Sequence, residues 1–213
     1  VKVIGVTGGI ASGKSTVMRM FAARGASLFS ADEDARAVLS ADSPILEQVF
    51  SLFPSVRRED GTLDRAGLAT IIFANPADRE RLEALTHPAI FERMQLVITR
   101  KRKEMSDDPH DCPVVFYEVP LLFEKKREGL FDAIIAVYAP PEILAQRLQA
   151  REKVAGRPPL TEQEIAQRLA AQLPVEEKAR RADFVIRTDV PLSDTEAAVD
   201  RIFKQLTQTE ALE

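Results

Sequence analysis

The segment Gly8-Gly9-Ile10-Ala11-Ser12-Gly13-Lys14-Ser15 constrains this chain more than any other. Glycine, four residues, then Gly-Lys-Ser is the Walker A spacing, which needs a strand before it and a helix after it. Both are legible. Val3-Ile4-Gly5-Val6 is a short apolar run ending at Thr7. From Lys14 the apolar residues Val17, Met20 and Phe21 follow helical spacing, with Arg19 and Arg24 polar. Gly25 stands where a helix stop is expected, and Leu28-Phe29 reads as a second buried strand. Strand, helix and strand make a βαβ unit, hence a parallel sheet with a right-handed crossover. A chance glycine turn would lack that context.

Glycines let the backbone wrap closely enough to aim N–H groups at phosphate oxygens. The following helix presents its positive end to the same anion. On this pattern Gly8, Gly9, Ala11, Ser12 and Gly13 form the cradle, and Lys14 bridges the β- and γ-phosphates. The Ser15 hydroxyl ligates magnesium and Thr16 adds a hydroxyl to another phosphate. The expected ligands are ATP or GTP with Mg²⁺.

The rest of the chain is an alternating pattern interrupted twice. Residues 33–104 carry no strand signal; their apolar positions fit helices broken at Pro44, Pro54, Gly61, Pro76 and Pro88. Lys101-Arg102-Lys103 and Asp107-Asp108-Pro109-His110-Asp111 read as a solvated helix end and its loop. Val114 to Val119 and Ala133 to Tyr138 are near-continuous apolar runs, as strands covered on both faces should be. A helix is predicted from Pro141 to about Arg151, then a polar loop from Glu152 to Leu160. Thr161-Glu162-Gln163-Glu164 is a capping box opening the next helix, and Ser193-Asp194-Thr195-Glu196 is predicted to open a C-terminal helix in the same way. Phe184-Val185-Ile186 reads as the last strand.

Composition narrows the class further. At 213 residues, 45% of them hydrophobic, the chain fills one domain with small insertions. Twenty-nine basic against 33 acidic residues give −4, so a nucleic-acid partner is not expected. No apolar run approaches the ~18 residues of a membrane span, and the first residues lack signal-peptide order. A single Cys112 and two distant histidines, His87 and His110, supply neither a disulfide nor a zinc cluster. The expectation is a soluble cytoplasmic protein with no membrane association and no obligatory protein partner.

A P-loop alone leaves kinases, GTPases, motors and regulators open. The length is small for a motor, and no Asn-Lys-x-Asp segment marks guanine selection. A small-molecule kinase is the natural class, its helical excursions holding an acceptor and excluding water. Asp32 follows the second strand, near the carboxyl edge where ligands bind in open parallel sheets. Taken alone, it is either a functional carboxylate or the N-cap of a helix starting at Glu33.

Several segments together resemble the dephospho-CoA kinase family. They are Ile4 to Thr16, Ala31-Asp32 with Ala35-Arg36, His87-Pro88 with Ile90, and Val119-Pro120-Leu121-Leu122-Phe123-Glu124. Ala170-Ala171-Gln172, Glu177-Lys178 and Ala182 to Ile186 complete the set. The family phosphorylates the ribose 3′-hydroxyl of dephospho-CoA to give coenzyme A. The resemblance implies an α/β fold, a parallel-sheet P-loop core of nucleoside-monophosphate-kinase type over 1–32, 112–140 and 182–213. A helical acceptor-binding insertion spans 33–111 and a lid 141–181.

The resemblance also implies roles. Asp32 meets the acceptor hydroxyl and accepts its proton; Arg36 pairs with Asp32 or touches the substrate; His87, Pro120 and Leu121 contact the acceptor. Arg147 and Arg151, i and i+4 on the lid helix and off the face of Leu144 and Leu148, neutralise the transferring phosphoryl group. Arg157, Arg168, Gln172 and Lys178 are weaker candidates for the same lining, and Glu118 for organising the metal. Ala11 and Ser30 depart from the family pattern. So do a longer loop over Lys153 to Leu160 and Arg187-Thr188, where the family commonly has Asp-Asn near the adenine. A kinase acting on a nucleoside or nucleotide, or a nucleotide-binding regulator, are the rival readings.

Overall fold

The apolar run that precedes the phosphate loop becomes the middle strand of a five-stranded sheet. The computed structural model describes residues 1–107 and 112–208, so the acidic loop with His110 and the last residues lie outside the described residues. In chain order the elements are β1 (Lys2–Gly8), α1 (Lys14–Ala22), β2 (Ser27–Ser30), α2 (Ala31–Val38) and α3 (Pro44–Leu52). Next come α4 (Arg65–Ala74), α5 (Pro76–Asp107), β3 (Val114–Glu118), β4 (Ala133–Tyr138) and α6 (Pro141–Val154). The last are α7 (Glu162–Ala170), α8 (Val175–Arg181), β5 (Phe184–Arg187) and α9 (Leu192–Thr207). The strand order is β2-β3-β1-β4-β5. β1 runs parallel to both β3 and β4, and β4 parallel to β5.

Alternation along β1 divides the core. Ile4 and Val6 face a cluster with Val17 and Phe21 of α1, Phe116 of β3, Val137 of β4, and Val199 and Ile202 of α9. Phe21 stacks on Phe116 with ring centroids 4.0 Å apart. Gly5 faces the opposite way, where a Cβ would lie 2.8 Å from Leu122 and 2.9 Å from Phe131. Helix α1 ends as expected: Gly25 takes φ +86°, and the amides of Gly25 and Ala26 donate to the carbonyls of Ala22 and Phe21.

The chain divides into two compact units, residues 1–29 with 104–213, and residues 30–103. The second has its own core of Leu46, Val49, Phe50, Phe53, Val56, Leu68 and Leu82. Within it, Arg93 on α5 pairs with buried Asp34 on α2 at 2.9 Å. Burial pushes the Asp34 carboxyl up despite this partner. Arg65 on α4 donates to the carbonyls of Arg36 and Leu39 at the end of α2. The break predicted at Pro88 does not occur: α5 continues through it. Leu82, Met94 and Ile98 are all buried along this helix, and that packing outweighs the one backbone hydrogen bond a proline removes.

The segment from α6 to α7 is closed by polar contacts. The Gln149 carboxamide exchanges two hydrogen bonds with the backbone of Leu160, and Gly156 takes the left-handed turn after α6 at φ +65°. Thr161 and Glu164 form the expected capping box. Glu152, 6% exposed, accepts from Arg157 at 2.5 Å and Arg168 at 3.0 Å. The second predicted box fails: α9 begins at Leu192 behind Pro191, without a side-chain cap, and the Thr195 hydroxyl donates to the Arg187 carbonyl instead. No described helix is long and apolar enough to cross a membrane.

The Arg168 hydrogen bond holds the Glu152 carboxyl below the usual range, with the Arg157 and Arg168 charges acting the same way against burial. Its stabilisation is therefore present above the ordinary glutamate pKa and lost as pH falls through the lowered one. Glu152→Gln should lower the melting temperature at pH 7. That difference should vanish in acid, where the native carboxyl is protonated too, as thermal scans across pH would register.

Candidate active site: the phosphate loop and its braces

Between β1 and α1 the backbone turns through left-handed conformations at Gly8 (φ +152°), Ala11 (φ +60°) and Gly13 (φ +89°). Glycine is demanded by space as well as torsion at Gly8, where a Cβ would come within 2.4 Å of the Val137 carbonyl oxygen. Gly9 lies under α8, with no room for a Cβ beside Val175 Cγ1 at 2.5 Å. Gly13 precedes α1 as its N-cap and makes no side-chain cap.

Five of the loop's carbonyls are occupied. Lys14 Nζ donates to the oxygens of Gly8 (3.0 Å) and Gly9 (2.9 Å). The Thr188 hydroxyl donates to the Ser12 carbonyl at 2.7 Å, and Arg147 Nη1 reaches the Ala11 carbonyl at 3.4 Å. Gly13 O receives the amides of Thr16 and Val17. Among the described residues the amides of Ala11, Gly13 and Ser15 donate to no acceptor, and the Ile10 amide donates to Gln172 Oε1 at 2.9 Å. A loop with its oxygens engaged and several N–H groups open is an anion cradle. The Ser12 hydroxyl is buried with no partner inside it, a donor suited to a phosphate oxygen.

Ser15 is exposed on the first turn of α1 and Thr16 is half-buried beside it, its hydroxyl accepting from Arg19 at 3.3 Å. The exposed Ser15 hydroxyl suits a magnesium ion carried in by phosphates. Among the described residues no three His, Cys, Asp or Glu converge to hold a metal. A single hydroxyl on the first turn of α1 fits Mg²⁺, which keeps waters and phosphate oxygens in preference to an all-protein cage.

Arg147 is half-buried on α6, its guanidinium donating to the Thr188 hydroxyl at 2.9 Å and the Thr188 carbonyl at 2.5 Å. Thr188, just past β5, also bonds the Tyr138 carbonyl through its amide. It thus joins β4, α6 and the phosphate loop, and its side chain lies 3.4 Å from where a Gly13 Cβ would stand. This departure from the family pattern is therefore a structural brace. Arg151 is exposed. Arg157 and Arg168 are committed to Glu152 and so tie the loop after α6 and helix α7 to α6.

Asp32 is not a cap. Helix α2 begins at Ala31, and the Ser30 hydroxyl accepts from the Asp32 amide at 3.3 Å. Asp32 stands exposed on the first turn, its carboxylate without a partner among the described residues; Arg36 is exposed as well and does not pair with it. His87 is half-buried in the continuous α5, not at a helix end. Pro120 and Leu121 are partly exposed, whereas Leu122 and Phe123 are core. The Pro120 carbonyl accepts from the Thr7 hydroxyl at 3.2 Å and from Lys178 Nζ at 2.7 Å.

Lys178 is the largest departure from the sequence reading. It is fully buried and paired with Glu124 at 2.8 Å, neither a surface lysine nor part of an electropositive lining. Gln172 lies past the end of α7 in the turn to α8 rather than on a helix. Glu118 ends β3, half-buried, opposite Val6.

The Ala11 conformation yields a test. A side chain at φ +60° costs about 1–2 kcal/mol, more than the entropy a glycine there would lose on folding. Ala11→Gly should raise stability by up to about 1 kcal/mol, measured by urea denaturation, with the loop's nucleotide affinity retained.

Comparison with known proteins bears on the whole chain. The dephospho-CoA kinase family profile matches residues 2–194. A dephospho-CoA kinase from Anaeromyxobacter dehalogenans is 41% identical over 206 residues, covering 96% of this chain and 92% of that protein. One from Moorella thermoacetica is 42% identical over 205 residues, with the same coverage. A crystal structure from Thermus thermophilus superposes with a TM-score of 0.77 at 34% identity, over 97% of this chain and 98% of the other. Dephospho-CoA kinase from Campylobacter jejuni gives 0.69 at 28% identity over 96% of each. With a Walker A cradle on the central strand of a parallel sheet and full-length likeness on both counts, the chain belongs to the dephospho-CoA kinase family of P-loop kinases.

Proposed function

We propose that this chain transfers the γ-phosphoryl group of ATP to the ribose 3′-hydroxyl of dephospho-CoA, using the residues of its phosphate loop, lid helix and first α2 turn. The open amides of the loop and the buried Ser12 hydroxyl receive the phosphate oxygens. Lys14 exchanges its two loop carbonyls for the β- and γ-phosphates, and Thr16 supplies a further hydroxyl. Ser15 holds magnesium, which when bound neutralises charge shared between the β- and γ-phosphates. Residues 141–181 act as the lid, with Arg147 and Arg151 facing the transferring group. Residues 33–111 hold the acceptor, with Arg36, His87, Pro120 and Leu121 at its contacts.

Asp32 prepares the acceptor. Its carboxylate orients the 3′-hydroxyl and takes the proton as the oxygen bonds to the γ-phosphorus. The bond to the β–γ bridging oxygen breaks, and ADP leaves with that electron pair. The transition state is loose, so placement contributes at least as much as basicity. What most supports this reading is a cradle of unengaged N–H groups in a chain of this family.

The direct test is magnesium-dependent ADP release with dephospho-CoA, beside adenosine, AMP, CMP and a no-acceptor control, with product mass checked. Stimulation by dephospho-CoA alone, with phosphate on the ribose 3′ position, is the expected result. Release with a nucleoside or nucleotide instead would replace the acceptor.

Asp32→Asn should lower turnover by roughly 10²–10⁴ while ATP binding and melting temperature stay near wild type, because Ser30 and not Asp32 caps α2. A loss of stability with turnover intact would return Asp32 to a structural role.

A further inference from the structure

Lys178 and Glu124 form an ion pair to which the proposed reaction assigns no part. Lys178 Nζ lies 2.8 Å from Glu124 Oε1, with the side chains 1% and 18% exposed. Burial pushes the Lys178 ammonium down. Burial also raises Glu124, but the hydrogen bonds from Lys178 and the Leu173 amide outweigh it and keep the carboxyl below its usual range. Such a pair contributes little net stability, since desolvation offsets the attraction. Glu124 Oε2 is moreover buried without a partner, an added cost. The pair also serves two backbone groups, the Pro120 carbonyl and the Leu173 amide, so what it adds is placement.

The positions it fixes lie on both sides of the site. Lys178 Nζ donates to the Pro120 carbonyl, which the Thr7 hydroxyl also meets. Glu124 Oε1 accepts the Leu173 amide at 2.8 Å. The adjacent Gln172 accepts the Ile10 amide of the phosphate loop. An apolar hollow of about 310 Å³ opens between Gly9-Ile10 and the turn at Gln172 to Val175. Val175 packs on Gly9 at one side of that hollow, and the Ile10–Gln172 hydrogen bond ties the turn to the loop at the other.

We propose that Lys178 and Glu124 are positioning residues that couple the loop after β3 to the phosphate loop through the α7–α8 turn, holding the acceptor and nucleotide sides in register. This rests on the reading that Pro120 and Leu121 border the acceptor.

The test uses the full chain and the double variant Lys178→Met/Glu124→Gln. No unpaired charge is left in it, and a carboxamide oxygen at 124 still accepts the Leu173 amide. Melting should stay close to wild type and ATP affinity within about twofold, with kcat/KM for dephospho-CoA down about 10- to 100-fold. Amide exchange should accelerate at Ile10 and Leu122 but not at Val137 in β4. Unchanged exchange at Ile10, or exchange accelerated equally throughout the sheet, overturns the coupling. If the double variant does not fold, Lys178→Gln/Glu124→Gln, likewise without an unpaired charge, is read in the same way. If wild-type protein does not phosphorylate dephospho-CoA, the functional reading fails, and exchange at Ile10 alone decides the coupling.

Discussion

Everything near the phosphate loop depends on separating its acceptors from its donors. A tight left-handed turn brings N–H and C=O groups equally close to any ligand, and an anion is attracted by one and repelled by the other. Here the carbonyls of Gly8, Gly9, Ala11, Ser12 and Gly13 all have donors. What remains at Ala11, Gly13 and Ser15 is electropositive backbone at the start of a helix. Lys14 and the first turn of α1 supply some of these donors. Those on Ala11 and Ser12 come from far along the chain, Arg147 from α6 and Thr188 from the end of β5, so sheet and helices must be in place before the polarity of the cradle is complete.

Much of this is legible in the sequence because local rules suffice. The three inner strands announce themselves as apolar runs buried on both faces, and the edge strands β2 and β5 as shorter runs only partly buried. The glycine-rich turn, the stop at Gly25 and the capping box at Thr161 each depend on residues a few positions apart. The phosphate loop residues are fixed by spacing alone.

What the sequence hides is decided by tertiary contact. Nothing local separates a lysine on a wet helix face from Lys178, whose burial depends on Glu124, 54 residues earlier in the numbering. Pro88 reads as a break because proline removes a hydrogen bond, yet burial on either side of it carries α5 through. Ser193 has the spacing of a cap but the helix starts earlier, and the buried Thr195 hydroxyl donates to the Arg187 carbonyl at the end of β5. Asp32 shows the reverse: a residue type common at caps is released from that duty by Ser30, two places before it.

The strand order has a consequence for how the protein is made. β1 is synthesised first but pairs only with β3 and β4, beginning at Lys2 with Val114 and at Ile4 with Ala133. The stretch between holds a helical unit with its own apolar core. On a ribosome that unit emerges with all its partners while β1 still waits for its neighbours. The last brace, Thr188 on Ser12, spans 176 residues. The phosphate loop therefore gains this brace only once β5 has been made, and a chain interrupted before it would carry the motif without its far support.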